Sequence, residues 1–167
     1  MSAQKKSETR PTQLLTVRMG NETYGIEILK IARVLNCEGI FKTGGEPEFL
    51  EGLIELDGDI VPVLDLKERL EIQDGDPGRR RIVILDLKQR LLGIIVDDFL
   101  EVLPASQSKY EQLPAEIVDD GRASCIAGVT EGERGVIMVI SPKQILTPHE
   151  LEALVRFENQ TEQVAPS

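Results

Sequence analysis

Apolar and polar residues alternate along most of the chain, in short segments separated by turn-forming residues. Residues 24–28 (Tyr-Gly-Ile-Glu-Ile) show the pattern well, with large apolar residues at every second position. A period of two in apolar positions is typical of half-buried β-strands. Residues 53–66 form the clearest hairpin, because Asp57-Gly58 is a strong signal for a two-residue turn. The chain is therefore predicted to be mainly β.

One proline interrupts this hairpin. Pro62 lies inside the return strand, where it has no N–H to donate to a neighbouring strand. Its presence predicts that the strand lies at a sheet edge or carries a bulge. Asp65 follows and is predicted to cap a short helix through Leu70.

A longer helix is predicted only near the C-terminus. Thr147-Pro148 followed by Glu150 fits a capping box with proline at the first helical position. Apolar residues then recur at helical spacing at Leu151, Leu154 and Val155. We expect this stripe to be buried in a helix over about residues 147–158.

The second half of the chain repeats the first. Gly93 follows Gly25 by 68 positions within matching apolar segments, and Gly128 follows Gly52 by 76 positions. Aliphatic strands resemble one another in general, but glycines that match at consistent offsets favour a true repeat. Each copy has about five short strands and little core of its own. Two small barrels packed on a shared apolar interface are therefore predicted.

The domain boundaries follow from this repeat. The first barrel is expected at about residues 13–70 and the second at about 80–146, on either side of a Gly- and Asp-rich linker. Residues 1–12 and 159–167 are polar and are predicted to be flexible tails. The helix at 147–158 completes the folded part of the chain.

Composition and charge narrow the possible functions. Only 4% of the residues are aromatic and none is Trp, so the core must be aliphatic. The net charge of −10 disfavours binding to phosphate, and a nucleic-acid-binding small barrel remains the weaker alternative. No apolar run approaches the ~20 residues of a membrane span. Without a signal segment at its N-terminus, the protein is expected to be cytoplasmic and not inserted in the membrane.

The sequence offers no pattern of catalytic or metal-binding residues. The sequence has no phosphate-binding loop or dinucleotide fingerprint, and Cys37 and Cys125 lack the spacing of metal ligands. The single histidine, His149, is predicted to be exposed in the first turn of the helix. Asp97 and Asp98 are adjacent in a strand, where neighbouring side chains point to opposite faces. One is expected to anchor a loop and the other to be solvated, so no enzyme activity, cofactor or metal is predicted.

The hairpin carries a family resemblance. Residues 52–66 read Gly-Leu-Ile-Glu-Leu-Asp-Gly-Asp-Ile-Val-Pro-Val-Leu-Asp-Leu. They resemble the pattern G-x-x-N-L-R-G-x-x-x-P-V-x-D-L of CheW-like domains. Residues 24–28 and 93–97 resemble two further motifs of that family, Y-G-I-D-I and G-x-x-V-D. The resemblance extends from residue 13 to about 155.

This resemblance implies both a fold and a function. CheW-like domains consist of two five-stranded SH3-like barrels. Members are non-enzymatic adaptors without cofactors that bind the regulatory domain of the histidine kinase CheA and the cytoplasmic tips of methyl-accepting chemoreceptors. The chain is accordingly expected in the cytoplasm, recruited to receptor arrays at the inner face of the membrane. A variant that serves twitching motility or biofilm control instead of flagellar chemotaxis is the open alternative.

The chain departs from the family pattern next to the turn. Glu55 and Asp57 replace the usual Asn and Arg, and Arg33 stands where an acidic residue is common. Acid and base have thus exchanged places, which indicates a cognate set of partners. We predict that Arg33 and Asp57 form a charge pair on neighbouring strands. By resemblance, the partner-binding residues are predicted to be Ile31, Arg33, Val34, Leu56, Asp57 and Gly58.

Overall fold

A computed structural model of the chain describes residues 13–73, 75–76, 78–104, 109–113, 125–133 and 135–164. The strands within these residues are β1 (Gln13–Met19), β2 (Glu22–Glu27), β3 (Ile31–Asn36), β4 (Gly52–Leu56), β5 (Asp59–Asp65), β6 (Arg81–Asp86), β7 (Leu91–Val96), β8 (Asp98–Pro104), β9 (Glu111–Gln112), β10 (Ile126–Gly132) and β11 (Gly135–Ile140). The α-helices are α1 (Leu66–Arg69) and α2 (Pro148–Val164), and 3-10 turns lie at Ile28–Lys30 and Pro142–Gln144. The prediction of a mainly β chain is confirmed.

The strands form two curled sheets that follow the same plan. Barrel A has the strand order β8-β1-β2-β11-β10-β9, and barrel B has the order β3-β6-β7-β5-β4. Replacing each strand of barrel B by its counterpart in the other half of the chain gives the first five strands of barrel A. The registers agree as well, since Gly25 lies opposite Val139 in barrel A and Gly93 lies opposite Val63 in barrel B. The internal repeat is therefore confirmed.

Each barrel, however, takes strands from both halves of the chain. Barrel A combines β1 and β2 with β8 to β11, and barrel B combines β3 to β5 with β6 and β7. The expected division into a barrel at 13–70 and another at 80–146 is therefore wrong. After β2 the chain leaves barrel A through the 3-10 turn, and β3 pairs with β6. A sequence repeat identifies equivalent strands but not their pairing partners.

Three apolar clusters hold this arrangement together. Inside barrel B the buried residues are Ile54, Val61, Val63, Ile82, Ile84 and Ile95. Inside barrel A they are Leu14, Tyr110, Ile137 and Val139. The largest cluster lies between the barrels and includes Leu15, Val17, Ile26, Leu64, Val83, Ile94 and Leu154. Because burial of apolar surface is the main favourable term in folding, the shared interface predicted from the repeat is the principal core.

Two glycines of the repeat are required by close packing. A Cβ atom at Gly25 would lie 3.0 Å from Leu14 Cδ1, and one at Gly93 would lie 3.0 Å from Ile82 Cγ2. Both glycines belong to parallel strand pairs at equivalent places in the two barrels. A larger residue at either position would push the neighbouring side chain out of its cluster.

Helix α2 begins at the predicted capping box and extends further than expected. The Thr147 N–H donates to Glu150 Oε1 at 3.0 Å, and the Glu150 N–H donates to Thr147 Oγ1 at 3.1 Å. The helix continues to Val164, so residues 159–164 are helical and do not form the predicted flexible tail. No Gly or Pro follows within the helix until Pro166, which explains its length. Residues 1–12 and 165–167 lie outside the described residues.

The face that α2 buries differs from the predicted stripe. Leu154 and Phe157 are buried in the central cluster, whereas Leu151 is 40% exposed. Glu150, Leu154 and Glu158 recur at intervals of four and so lie on one helix face. Leu151 is rotated by about 60° from Leu154, on the side away from Phe157. The contact face is thus a buried apolar strip between two acidic residues, which pair with Arg69 and Arg90.

Pro62 lies in an interior strand, so the expected edge position is wrong. Strand β5 runs between β7 and β4, and its ladder with β7 begins one residue later, at Val63. On the other side Pro62 faces Leu53, whose N–H and C=O both bond to Phe41. Strand β4 therefore needs no hydrogen bond from Pro62. The missing N–H is accommodated because the parallel ladder stops at this point.

Candidate partner-binding surface

Strand β3 forms one edge of barrel B and faces solvent. Residues 32–34 are exposed, while Ile31 and Leu35 are half-buried on either side of them. The pairing with β6 shifts register between Ile31 and Arg33, which marks a β-bulge. Bulges on edge strands redirect side chains. Here the edge presents a cationic side chain and an apolar one, Arg33 and Val34, next to each other.

The turn between β4 and β5 faces this edge. Asp57 and Gly58 both have positive φ, 53° and 89°, as a two-residue turn matched to strand twist requires. Arg33 Nη1 donates to Asp57 Oδ2 at 2.8 Å, so the predicted charge pair is confirmed. Strands β3 and β4 are not neighbours, however, but the two opposite edges of the sheet. The ion pair therefore spans the gap across which barrel B curls on itself.

The ion pair is well exposed, with side-chain exposures of 48% for Arg33 and 79% for Asp57. Exposed pairs of this kind contribute only about 0–1 kcal/mol to stability, because water screens the attraction and two side chains lose freedom. A structural role alone thus gives little reason for the pair. A charge pattern at an edge is better suited to selecting a partner.

The other predicted site residues surround the pair at different depths. Ile31 is half-buried and packs against the central cluster, and Leu56 is half-buried against the interior of barrel B. Val34 and Gly58 are exposed. Gly58 also lines a groove on the β5 side of the hairpin. Their role in partner binding stays a prediction.

Sequence reasoning missed several exposed apolar side chains. The described residues of this kind include Leu29, Ile60, Phe99, Val102 and Val136. Val102 occupies in barrel A the position that Val34 has in barrel B, and Val136 corresponds to Ile60. The repeat offsets of 68 and 76 were the signal that could have found them. Each barrel thus exposes a similar apolar edge.

The two edges differ in charge. Glu101 in barrel A is the counterpart of Arg33, and Glu133 is the counterpart of Asp57. Both glutamates are exposed and line one small cavity of about 30 Å³. Where barrel B closes its edge with an ion pair, the described residues of barrel A present two carboxylates.

Asp97 is a buried carboxylate with a structural role, as predicted for one member of the aspartate pair. It accepts a hydrogen bond from the Gly20 N–H at 2.8 Å and pairs with Lys67 Nζ at 3.1 Å. Arg18 lies 3.7 Å away. These partners belong to the β1–β2 turn of barrel A and to helix α1, so Asp97 links the two barrels. Its neighbour Asp98 is half-buried and accepts a hydrogen bond from the following N–H.

One acidic group among the described residues has the spacing of metal ligands. Carboxylate oxygens of Glu51, Asp65 and Glu68 all lie within 4.8 Å of one another. Asp65 is already engaged, because Oδ1 accepts from the N–H groups that open α1 and Oδ2 accepts from Arg80 at 2.9 Å. Asp65 thus acts as the predicted helix cap, and the cluster is explained by local structure.

Among the reactive side chains, the described residues hold two free cysteines and one histidine. Burial raises the pKa of the Cys125 thiol to about 11, which keeps it protonated at neutral pH. Burial also raises the pKa of Cys37, with Arg80 opposing. His149 is exposed in the first turn of α2, as predicted. Neither thiol has the lowered pKa of a nucleophile.

Comparison with known proteins identifies the same fold and motifs. The family model described as "CheW-like domain" matches residues 13–150. The chain is 28% identical to the chemotaxis protein CheW of Treponema pallidum over 87% of its own length and 88% of that protein. It is 31% identical to the chemotaxis protein CheW of Klebsiella aerogenes, covering 79% of this chain and 80% of that one.

A solved structure agrees with these relatives. The crystal structure of the scaffolding protein TtCheW from Thermoanaerobacter tengcongensis matches with a TM-score of 0.73 and 27% identity. The match covers 84% of this chain and 91% of that one.

Among the helices of the described residues, none has the length and apolar character needed to cross a membrane.

Proposed function

Because this chain belongs to the CheW-like domain family and is a coupling adaptor of chemotaxis, we propose that it joins chemoreceptors to a CheA-type histidine kinase. In this proposal the protein works by binding alone, without catalysis or a cofactor. It acts in the cytoplasm, at receptor arrays on the inner face of the membrane. Its partners are the regulatory domain of the kinase and the cytoplasmic tips of methyl-accepting receptors.

The observation that carries the proposal is the exposed edge of barrel B. Arg33 and Asp57 form an ion pair that adds little stability, next to the accessible side chain of Val34. A few apolar anchors inside a polar rim are the usual anatomy of a protein interface. Half-buried Ile31 and Leu56 support this edge from below.

The reversed charges support a cognate set of partners. An acidic residue is common in the family where this chain has Arg33, and a basic one where it has Asp57. A partner surface matched to the common pattern would place like charges against each other here, which costs affinity. We propose that the kinase and receptors of this adaptor carry the complementary pattern.

The edge of barrel A is proposed as the second contact. Val102 and Glu101 stand there in the positions of Val34 and Arg33, and Val136 adds apolar surface. An adaptor needs two binding surfaces to join two proteins. Since one edge carries an ion pair and the other two carboxylates, each suits a different partner surface.

Co-purification from the native organism tests the proposal. Tagged protein is expected to recover a histidine kinase and chemoreceptors, and Arg33→Glu should reduce recovery by at least about tenfold, as loss of one interface anchor does. Arg156→Glu is the matched control, because Arg156 is also an exposed arginine but belongs to α2 and not to this edge. The fold of both variants is checked by circular dichroism.

The double exchange Arg33→Glu with Asp57→Arg sharpens the test. It restores an ion pair of opposite orientation, so the fold should be unchanged while preference shifts toward partners with the common family pattern. Equal recovery of kinase and receptors by the wild type, Arg33→Glu and Arg156→Glu would overturn the assignment of this edge.

A further inference from the structure

Strands β5 and β7 of barrel B meet at a seam where they pair in parallel. This seam is shorter than the corresponding seam between β11 and β2 in barrel A. In barrel A the parallel ladder of β11 and β2 begins at Ile137 and includes Met138. In barrel B the ladder of β5 and β7 begins only at Val63. The equivalent of Met138 is Pro62, which has no N–H to form the next hydrogen bond. The seam of barrel B is therefore open where that of barrel A is closed.

This opening leaves part of a strand edge without a ladder partner. Leu56 and Asp59 flank the two-residue turn and form the first bonded pair of the hairpin. Bonded and non-bonded pairs alternate in antiparallel strands, so the N–H and C=O of Ile60 point away from β4. They face the seam, in which β5 forms no ladder pair with Leu91, the first residue of β7.

A groove of about 500 Å³ occupies the open seam. Its walls are β5, the turn before β7 and one face of α2. Apolar side chains line it, among them Ile60, Leu91, Leu154 and Phe157. Ile60 is 47% exposed although it is large and apolar. The volume falls within the ~300–1,000 Å³ of pockets that hold small ligands or side chains of a partner.

The mouth of the groove is acidic. Asp59 lies at the mouth, and the salt bridges found among the described residues give it no basic partner. Arg90 also lines the groove, but it is engaged by Glu158 of α2. Glu55 is also exposed, directly opposite Ile60 on the same hairpin, whereas Asp57 is engaged by Arg33. Together with the net charge of −10, these carboxylates favour a positively charged occupant.

We propose that this groove binds an extended, basic segment of a partner protein. An apolar side chain of that segment inserts between Ile60 and Phe157, and a flanking Lys or Arg meets Asp59. The Ile60 N–H and C=O extend the contact by strand addition, in which main-chain hydrogen bonds supply affinity and pockets supply specificity. The site shares only Gly58 with the predicted partner-binding residues, and it stands whether or not those residues bind a kinase.

A synthetic peptide of alternating Lys and Leu is the probe. About ten residues suffice, since a strand rises ~3.3 Å per residue and the groove is short. Its binding to the ¹⁵N-labelled full chain is followed by NMR, with expected shifts at Ile60, Leu91 and Leu154. A peptide of alternating Glu and Leu should not bind, and added salt should weaken the Lys peptide.

Two matched variants separate groove binding from general attraction to an acidic protein. Ile60→Glu and Leu29→Glu each add one negative charge at an exposed apolar residue, but only Ile60 lines the groove. Ile60→Glu should weaken the Lys peptide at least about tenfold, as loss of an apolar anchor does. Leu29→Glu should leave its affinity within about twofold, because sites without shared contacts act independently.

Pro62→Met tests the open seam itself, because Met138 occupies the equivalent position in barrel A. The new N–H should extend the ladder toward Leu91 and weaken the peptide as well. Unchanged binding by Pro62→Met would overturn the role of the seam. Equal affinities of the Ile60→Glu and Leu29→Glu chains, or shifts centred on another surface, would overturn the site. If Ile60→Glu does not fold, the shifts of the wild-type chain decide alone.

Discussion

Barrel A and barrel B share their strand order and register but differ in what fills them. The interior of barrel B holds four isoleucines, and three of them are Ile54, Ile84 and Ile95. The equivalent positions of barrel A are Thr130, Thr16 and Glu27. The β-bulge also recurs. In barrel B it lies in β3 between Ile31 and Arg33, and in barrel A it lies in β8, opposite Thr16 and Val17 of β1. The two barrels thus share their backbone geometry, but the interior of barrel A is the more polar, so the aliphatic packing of the barrels is concentrated in barrel B.

The two interiors satisfy their polar groups unequally. The Thr16 hydroxyl donates to the Glu101 C=O at 2.7 Å and accepts from the Glu101 N–H at 3.1 Å. It therefore satisfies both backbone groups of Glu101 at the bulge of β8. The Thr130 hydroxyl is buried and has no hydrogen-bond partner within the part of the chain that the structure describes. The hydroxyl at Thr16 is thus accommodated by hydrogen bonds, whereas the hydroxyl at Thr130 lowers the stability of the fold.

The largest expected effect comes from making barrel B resemble barrel A. Ile54→Thr removes apolar volume from a closely packed cluster and buries a hydroxyl. We expect it to lower the free energy of unfolding by about 3 kcal/mol. Urea denaturation followed by circular dichroism measures this change. Ile54→Val is the control for lost volume and should cost only about 1 kcal/mol.

The reverse exchange completes the comparison. Thr130→Ile places the residue of barrel B into barrel A, and should raise stability by less than Ile54→Thr lowers it, because a buried site packed around a smaller side chain must shift to admit a larger one. A gain in stability equal to the loss in Ile54→Thr would show that the two interiors are equivalent, and would contradict the view that barrel A has repacked around its threonines.

The sequence predicted local features best. The Asp57-Gly58 turn, the Asp65 cap and the capping box at Thr147 each depend on a few adjacent residues, and the structure shows all three. The repeat was also visible, because equivalent glycines such as Gly25 sit in equally crowded places. Features determined by short-range geometry are thus readable from the chain.

Long-range pairing could not be predicted in the same way. The offset between Gly25 and Gly93 reveals equivalence, but both contiguous and exchanged barrels satisfy it. For the same reason Arg33 and Asp57 were expected on neighbouring strands, whereas they lie on opposite edges of one sheet. The groove at the seam could not be predicted either, because it forms only where β5, β7 and α2 meet.

A second difference between the barrels is that helix α2 is tied to elements of barrel B. Glu150 pairs with Arg69, with Arg69 Nη2 to Glu150 Oε2 at 2.6 Å, and also accepts from Thr147. Burial opposes ionisation of Glu150, but these hydrogen bonds outweigh it and lower the pKa of its carboxyl. Glu150→Gln should reduce the free energy of unfolding at pH 7 by about 1–2 kcal/mol.

The pH dependence of this effect has a defined sign. A carboxyl whose pKa is lowered on folding stabilises the protein above its unfolded value of 4.5, and the contribution is lost as pH falls through the folded value. The difference between wild type and Glu150→Gln should therefore be full at pH 7 and shrink below about pH 4.5. A difference that stays constant down to pH 3 would mean that the charge of Glu150 is unimportant.

The smallest expected effect separates the two threonines of barrel A. Thr130→Val replaces an unpartnered buried hydroxyl by a methyl group of similar shape, so it should raise the free energy of unfolding by about 1 kcal/mol. Thr16→Val makes the same chemical change but strips the Glu101 N–H and C=O of their partner, and should lower it by about 1–2 kcal/mol. Urea denaturation of both variants under identical conditions measures the pair. Opposite signs are expected because the hydroxyls differ in their partners and not in their burial. Equal destabilisation by both would show that Thr130 also has a partner, such as an ordered water, and that the interior of barrel A is fully satisfied.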